Sequence, residues 1–337
     1  MPLAPSPAQV VLGFVTLGLV AAVIAAWAWV IYRLATRQSL LPKEEPRYVP
    51  WDGKAVLAVL MTYIGLQTVV PALYVFLFRR GTTRGGPGDQ LLVMILISVP
   101  FLAIGATILA RWKRAKASDF GLELRRAPTE ILRGIVAWPI VAPAVFGVNF
   151  VVLKLLKVRV PHAVESLAGQ NPSATTWGMI FFAAVVVAPI AEEFLFRGVL
   201  LGWLDRIAIG RTKPDPLEID EFSHDDRTTT DAGVWINARE PLAIDGQGEQ
   251  PAAPYEGQRL LIANVMVSFV FAALHGQVWP SPIPIFVLAL ALGAIYQRTG
   301  SLIAPIALHM TFNGISTLML YLITVSGGLD ALRSAVP

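Results

Sequence analysis

The chain has 337 residues, 55% of them hydrophobic and 15% charged, with a net charge of +4 and no cysteine. An ordinary soluble domain carries roughly 25% charged residues, so this composition excludes one and marks a membrane protein, for which no nucleic-acid partner is expected. Without cysteine there can be no disulfide, no thiol catalysis and no cysteine-ligated zinc.

Taken in chain order, apolar runs lie near 9–32, 55–78, 90–110, 131–153, 177–204, 259–276, 282–298 and 301–325. Each is close to the ~20 residues that cross a ~30 Å hydrocarbon core as helix. Lipid offers no hydrogen-bond partner to free backbone, so long runs without strand-like alternation predict helices. The predicted fold is all-α, a polytopic membrane helix bundle of about eight transmembrane helices. The first run follows "MPLAPSPAQ", which carries no basic residue, and it is too long for a signal peptide, so a retained first helix is expected.

Basic residues concentrate in alternate connections. Arg33, Arg37, Lys43, Arg47 and Lys54 follow the first run, and Arg111, Lys113, Arg114, Lys116, Arg125 and Arg126 follow the third. By the positive-inside rule these connections are cytoplasmic and both termini lie on the opposite side, with Arg79, Arg80 and Arg84 dissenting. Residues 205–258 hold 12 acids and 5 bases, so the rest of the chain is strongly basic. That stretch is polar and turn-rich, and reads as an aqueous, weakly structured insertion on the cytoplasmic side. Three parts follow: N-terminal membrane helices with basic loops over 1–128, a helix bundle over 129–204 and 259–326, and the acidic insertion over 205–258.

Outside the insertion only Glu192 and Glu193 are acids well inside an apolar run. A charge at the bilayer centre costs about 2.5–3.5 kcal/mol even on lenient scales, so two neighbours demand an explanation. Glu193 and Arg197 are four apart with the glutamate N-terminal, the favourable orientation for an i,i+4 ion pair. Glu192 is turned by about 100° around the axis and is left as the free carboxylate.

Of four histidines, His162 and His224 sit in polar stretches and read as solvated. His275 ends a helical run, and Phe271 one turn earlier can pack its ring in place. His309 and Asn313 are four apart and share a helical face, presenting two hydrogen-bonding groups to one point. A carboxylate, two imidazoles and an amide on three helices suit a buried hydrolytic site: a glutamate general base for water, and donors for the oxyanion of an attacked amide. Taken singly, each of these residues is more often an interhelical hydrogen-bonding group, and spacing alone leaves a proton- or ion-coupled transporter close behind an enzyme.

"EEFLFR" at 192–197, "FAALH" at 271–275 and "HMTFN" at 309–313 resemble, in order, the E-E-x-x-x-R, F-x-x-x-H and H-x-x-x-N/D motifs of the CPBP family, which holds the type II CAAX prenyl endopeptidases and the bacteriocin-processing, Abi-like proteins. The resemblance covers about residues 130–325. It implies an intramembrane endopeptidase whose site opens to the cytoplasm. Glu192 and His275 then activate water, His309 and Asn313 form the oxyanion hole, and Glu193, Arg197 and Phe271 support them.

The expected partners are a membrane protein or peptide substrate and the lipid bilayer itself, and the compositional impression is of a bacterial cytoplasmic membrane. No cofactor is expected; the alternative is zinc on Glu192, His275 and His309. A catalytically silent scaffold or regulator of the same family is the alternative function. At ~1.5 Å per residue His275 stands about 24 Å from residue 259 and His309 about 12 Å from residue 301, so either the sixth helix begins outside the bilayer or the helices are offset.

Overall fold

The computed structural model describes residues 5–42, 44, 47–78, 87–157, 173–210 and 256–327. Residues 211–255, which make up most of the acidic insertion, and His162, His224, Lys43, Arg79, Arg80 and Arg84 lie outside them. The eight apolar runs form eight helices: α1 Pro7–Ala35, α2 Gly53–Phe78, α3 Pro87–Lys113, α4 Ala127–Leu156, α5 Ala174–Ile209, α6 Glu256–Ala273, α7 Pro282–Thr299 and α8 Ile303–Val325. Among the described residues there is no strand. Seven helices are long and apolar enough to span a bilayer, and only α6 falls short, so the protein is an integral membrane helix bundle.

Burial separates the helices by role. α1 starts at a capping box in which Ser6 and Gln9 satisfy each other's backbone N–H, and it buries only Val30. α5 is the core: Glu193, Phe194, Leu195, Phe196, Arg197 and Val199 are all buried. Phe194 packs on Phe101 of α3, while Phe196 meets Phe271 of α6 edge-on at 4.9 Å. Small residues bring α4 and α8 together, as a Cβ at Gly134 would stand only 2.6 Å from that of Ala307.

α5 is not a uniform α-helix. Phe182–Val187 and Phe194–Leu201 are π-helical, on either side of an α-helical Ala188–Glu193. Pro189 has no N–H to give Val185 and its ring crowds that carbonyl, so the preceding turns widen, and Ala188 bonds back five residues to Ala183. The wide turns release carbonyls to side chains from elsewhere. Ala184 accepts from Asn313 Nδ2 at 2.8 Å and Val199 from Trp51 Nε1 at 3.0 Å.

One end of the bundle is closed by the connections after α1, after α3 and between α7 and α8. Arg47 donates to Ser118 O at 2.9 Å and to Glu123 Oε1 at 2.6 Å, Arg126 pairs with Glu44, and Lys113 pairs with Asp52 at 2.6 Å. Gly121, at φ +69°, lets this connection pass against Gly300 and Ser301, where a Cβ would be only 2.7 Å from Ser301 Cα. These are the connections whose basic residues gave the orientation reading, and they share one end as alternate connections must.

One expectation needs correction, and of the two alternatives left open for the depth of His275 one is seen. α6 ends at Ala273, so His275 lies in the turn beyond it and not within a helix. The depth mismatch is an offset of helices: Phe271 of α6 and His309 of α8 lie 6.1 Å apart, although each is a different distance from its helix start. Arg259 reaches Ala208 O near the end of α5, so α5 and α6 run further toward the basic end than α8 does.

Candidate active site

The α-helical turn between the two π segments carries Glu192 and Glu193 to the middle of the bundle. Glu193 is fully buried, and its Oε1 accepts from Arg197 Nη1 at 2.9 Å and from His309 Nδ1 at 2.8 Å. Arg197, also fully buried, donates Nη2 to Ala289 O at 3.0 Å and lies 4.7 Å over the Phe271 ring. Arg197 is thus bonded on two sides and stacked on an aromatic face, contacts that favour a guanidinium taken out of water.

The bond to Glu193 fixes more than an ion pair. It makes Nδ1 the protonated nitrogen of His309 and turns Nε2 toward Glu192, whose Oε2 is 3.8 Å away. That separation is longer than a hydrogen bond, so the two groups face a common point without bonding each other. Sequence spacing gave the Glu193–Arg197 pair but missed this third link, because nothing in the local pattern joins residue 193 to residue 309.

Glu192 keeps a side chain 26% exposed and lines a cavity of about 290 Å³ between α2, α3 and α5. Its walls include Tyr63, Gln67, Gln90, Ser98 and Phe196. The Lys113–Asp52 pair and the packing of Gly53 on Trp203 mark the basic end. At ~1.5 Å per residue the cavity wall starts about 15 Å from that end at Tyr63 and reaches about 35 Å at Gln90. The cavity therefore begins in the half of the bundle nearer the basic connections, at the level of Glu192, and extends toward the other end.

The remaining motif residues are less closely gathered. Asn313 spends one N–H on Ala184 O and keeps the other. His275 is half-buried; its Nδ1 lies 2.8 Å from Phe271 O, and its ring lies 5.0 Å from that of Phe271. Phe271 thus touches both imidazoles, and no hydrogen bond joins His275 to Glu192, Glu193 or His309 among the described residues. Glu192, His275 and His309 as placed do not fit a zinc site: among the described residues no three His, Asp or Glu side chains are grouped to hold a metal.

The model of the family described as Rce1-like, the type II CAAX prenyl endopeptidase Rce1-like family, matches residues 174–218 and 246–315. The match takes in all three motifs and leaves out α1 to α4. No curated protein and no solved structure gives a significant match to the chain.

Proposed function

We infer from the match of residues 174–218 and 246–315 to the model of the Rce1-like type II CAAX prenyl endopeptidase family that the protein is an intramembrane endopeptidase, with Glu192 as the general base for water. The observation that carries this reading is the Glu192–His309 juxtaposition: a carboxylate at a cavity edge, 3.8 Å from an imidazole nitrogen whose tautomer is fixed from behind by a buried Glu193–Arg197 pair. A passive scaffold has no need of an imidazole oriented this way.

In the proposed reaction Glu192 takes a proton from water as the water oxygen bonds to the carbonyl carbon of a peptide bond. The carbonyl electron pair moves onto its oxygen. Asn313 donates its remaining N–H to that oxyanion, and His309 donates Nε2–H when a second proton taken up from solvent makes it imidazolium, its Nδ1–H staying on Glu193. When the tetrahedral species collapses, the C–N bond breaks and the proton held by Glu192 passes to the departing amine. Nε2 of His275 is the nitrogen with which that residue would assist Glu192. The steps need no metal, and strong chelation is expected to leave cleavage intact.

The substrate class is a membrane-associated protein or peptide, since Glu192 lies within a membrane-spanning helix at the edge of the cavity between α2, α3 and α5. On the positive-inside reading the basic connections face the cytoplasm, and the substrate then enters from the bilayer or from the face opposite to them. The cysteine-free chain makes this directly testable. A single cysteine at Gln90 is expected to react with a membrane-impermeant maleimide added outside intact cells, whereas one at Gln38 is not; the reverse pattern would return the site to the cytoplasmic side.

The decisive experiment compares the wild type with Glu192→Gln in native membranes, with mass spectrometry of membrane-protein termini. Termini that require Glu192 are the expected result and identify the substrate. Identical termini in both, together with an unchanged phenotype, would replace the protease with a scaffold.

A further inference from the structure

The cavity beside Glu192 has a second wall that none of the three motifs supplies. It comes from α2 and α3, outside the residues that the family model matches. On α2, Gln67 Nε2 donates to the Tyr63 hydroxyl at 2.8 Å, and the Tyr63 ring meets Phe101 edge-on at 5.1 Å. Both side chains sit near the middle of a membrane span, where polar groups are costly and are retained for a role.

The bond between them leaves a particular pair of capacities. Because the Tyr63 oxygen accepts from Gln67, its own hydrogen is available to donate, and Gln67 Oε1 is available to accept. A donor and an acceptor side by side match the C=O and N–H of an extended backbone. The rest of the lining is mainly apolar, with Val93, Met94, Ile97 and Leu195 beside the polar Gln90 and Ser98. At about 290 Å³ the space lies at the low end of ligand pockets, which run roughly 300–1,000 Å³, and suits a short extended segment. Glu192 lines the same cavity.

We propose that Tyr63 and Gln67 are positioning residues of this site: they hold the backbone of an extended, apolar peptide segment in the cavity and so present the neighbouring peptide bond to Glu192. This rests on the endopeptidase reading. The family motifs then supply the chemistry, while α2 and α3 select what is brought to it.

The test is photo-crosslinking in native membranes, with Val93→p-benzoylphenylalanine in the cavity lining and Glu192→Gln to keep substrate intact. Adducts with apolar peptide segments are expected, and adding Tyr63→Phe is expected to lower their yield about tenfold, the effect of one hydrogen bond to a bound group. Gln67→Ala should do the same, and either variant serves if the other fails to fold; thermal melting and lipid adducts should not change. Adducts with lipid alone, or peptide adducts equally abundant with both substitutions, would overturn the proposal. Restoring Glu192 separates the two readings. Adducts cut short only with glutamate present uphold the protease, whereas intact adducts in both backgrounds that still depend on Tyr63 would overturn proteolysis and leave peptide binding.

Discussion

Two charged clusters stabilise different parts of this bundle and obey different physics. In the core, Glu193, Arg197 and His309 are almost fully buried, and each is bonded to another member. At the basic end, Arg47–Glu123, Arg126–Glu44 and Lys113–Asp52 are partly open to solvent and tie connections to one another. Buried pairs are poor sources of net stability but very costly to break, whereas exposed pairs are cheap to lose. The core cluster is thus better understood as a device for fixing one imidazole, and the end cluster as a clasp over three connections.

The sharpest way to break this comparison is Arg197→Ala. It leaves the Glu193 carboxylate buried with only His309 as partner, and a loss of about 3–5 kcal/mol is expected in detergent melting. Arg126→Ala should cost about 1 kcal/mol or less, because Glu44 is partly exposed and the buried Glu130 keeps Arg133 at 2.5 Å. Equal effects of the two substitutions would show that the clusters do not differ as described.

A smaller effect is expected from acid. The Arg126 hydrogen bond holds the Glu44 carboxyl below its ordinary value of 4.5, and the Lys113 hydrogen bond holds Asp52 below 3.8. Both folded values are depressed, so their contribution is full above about pH 4.5 and is lost as pH falls through the lowered folded values. Melting temperature should fall modestly below that pH. Arg126→Ala should remove the Glu44 part of the fall, and a profile unchanged by that substitution would count against the clasp.

Much of the architecture was legible because it is local. Apolar length predicted all eight helices within a few residues, and the i,i+4 rule placed Arg197 on Glu193. His275 was misplaced because helical periodicity cannot say where the last turn opens; α6 ends two residues earlier and the ring bonds back to Phe271.

The sequence alone determined the number of helices, the pair of carboxylates in the membrane and the three motifs, since each depends on neighbours within a turn or two. Only the tertiary structure decided that His309 answers to Glu193 and faces Glu192, that Asn313 bonds the Ala184 carbonyl freed by a π turn, and that α2 and α3 wall the cavity. Those contacts join residues more than 90 positions apart, and π turns shift the register on which face-by-face arithmetic depends. Which side chains meet is therefore set by packing of whole helices, a quantity that no window of sequence contains.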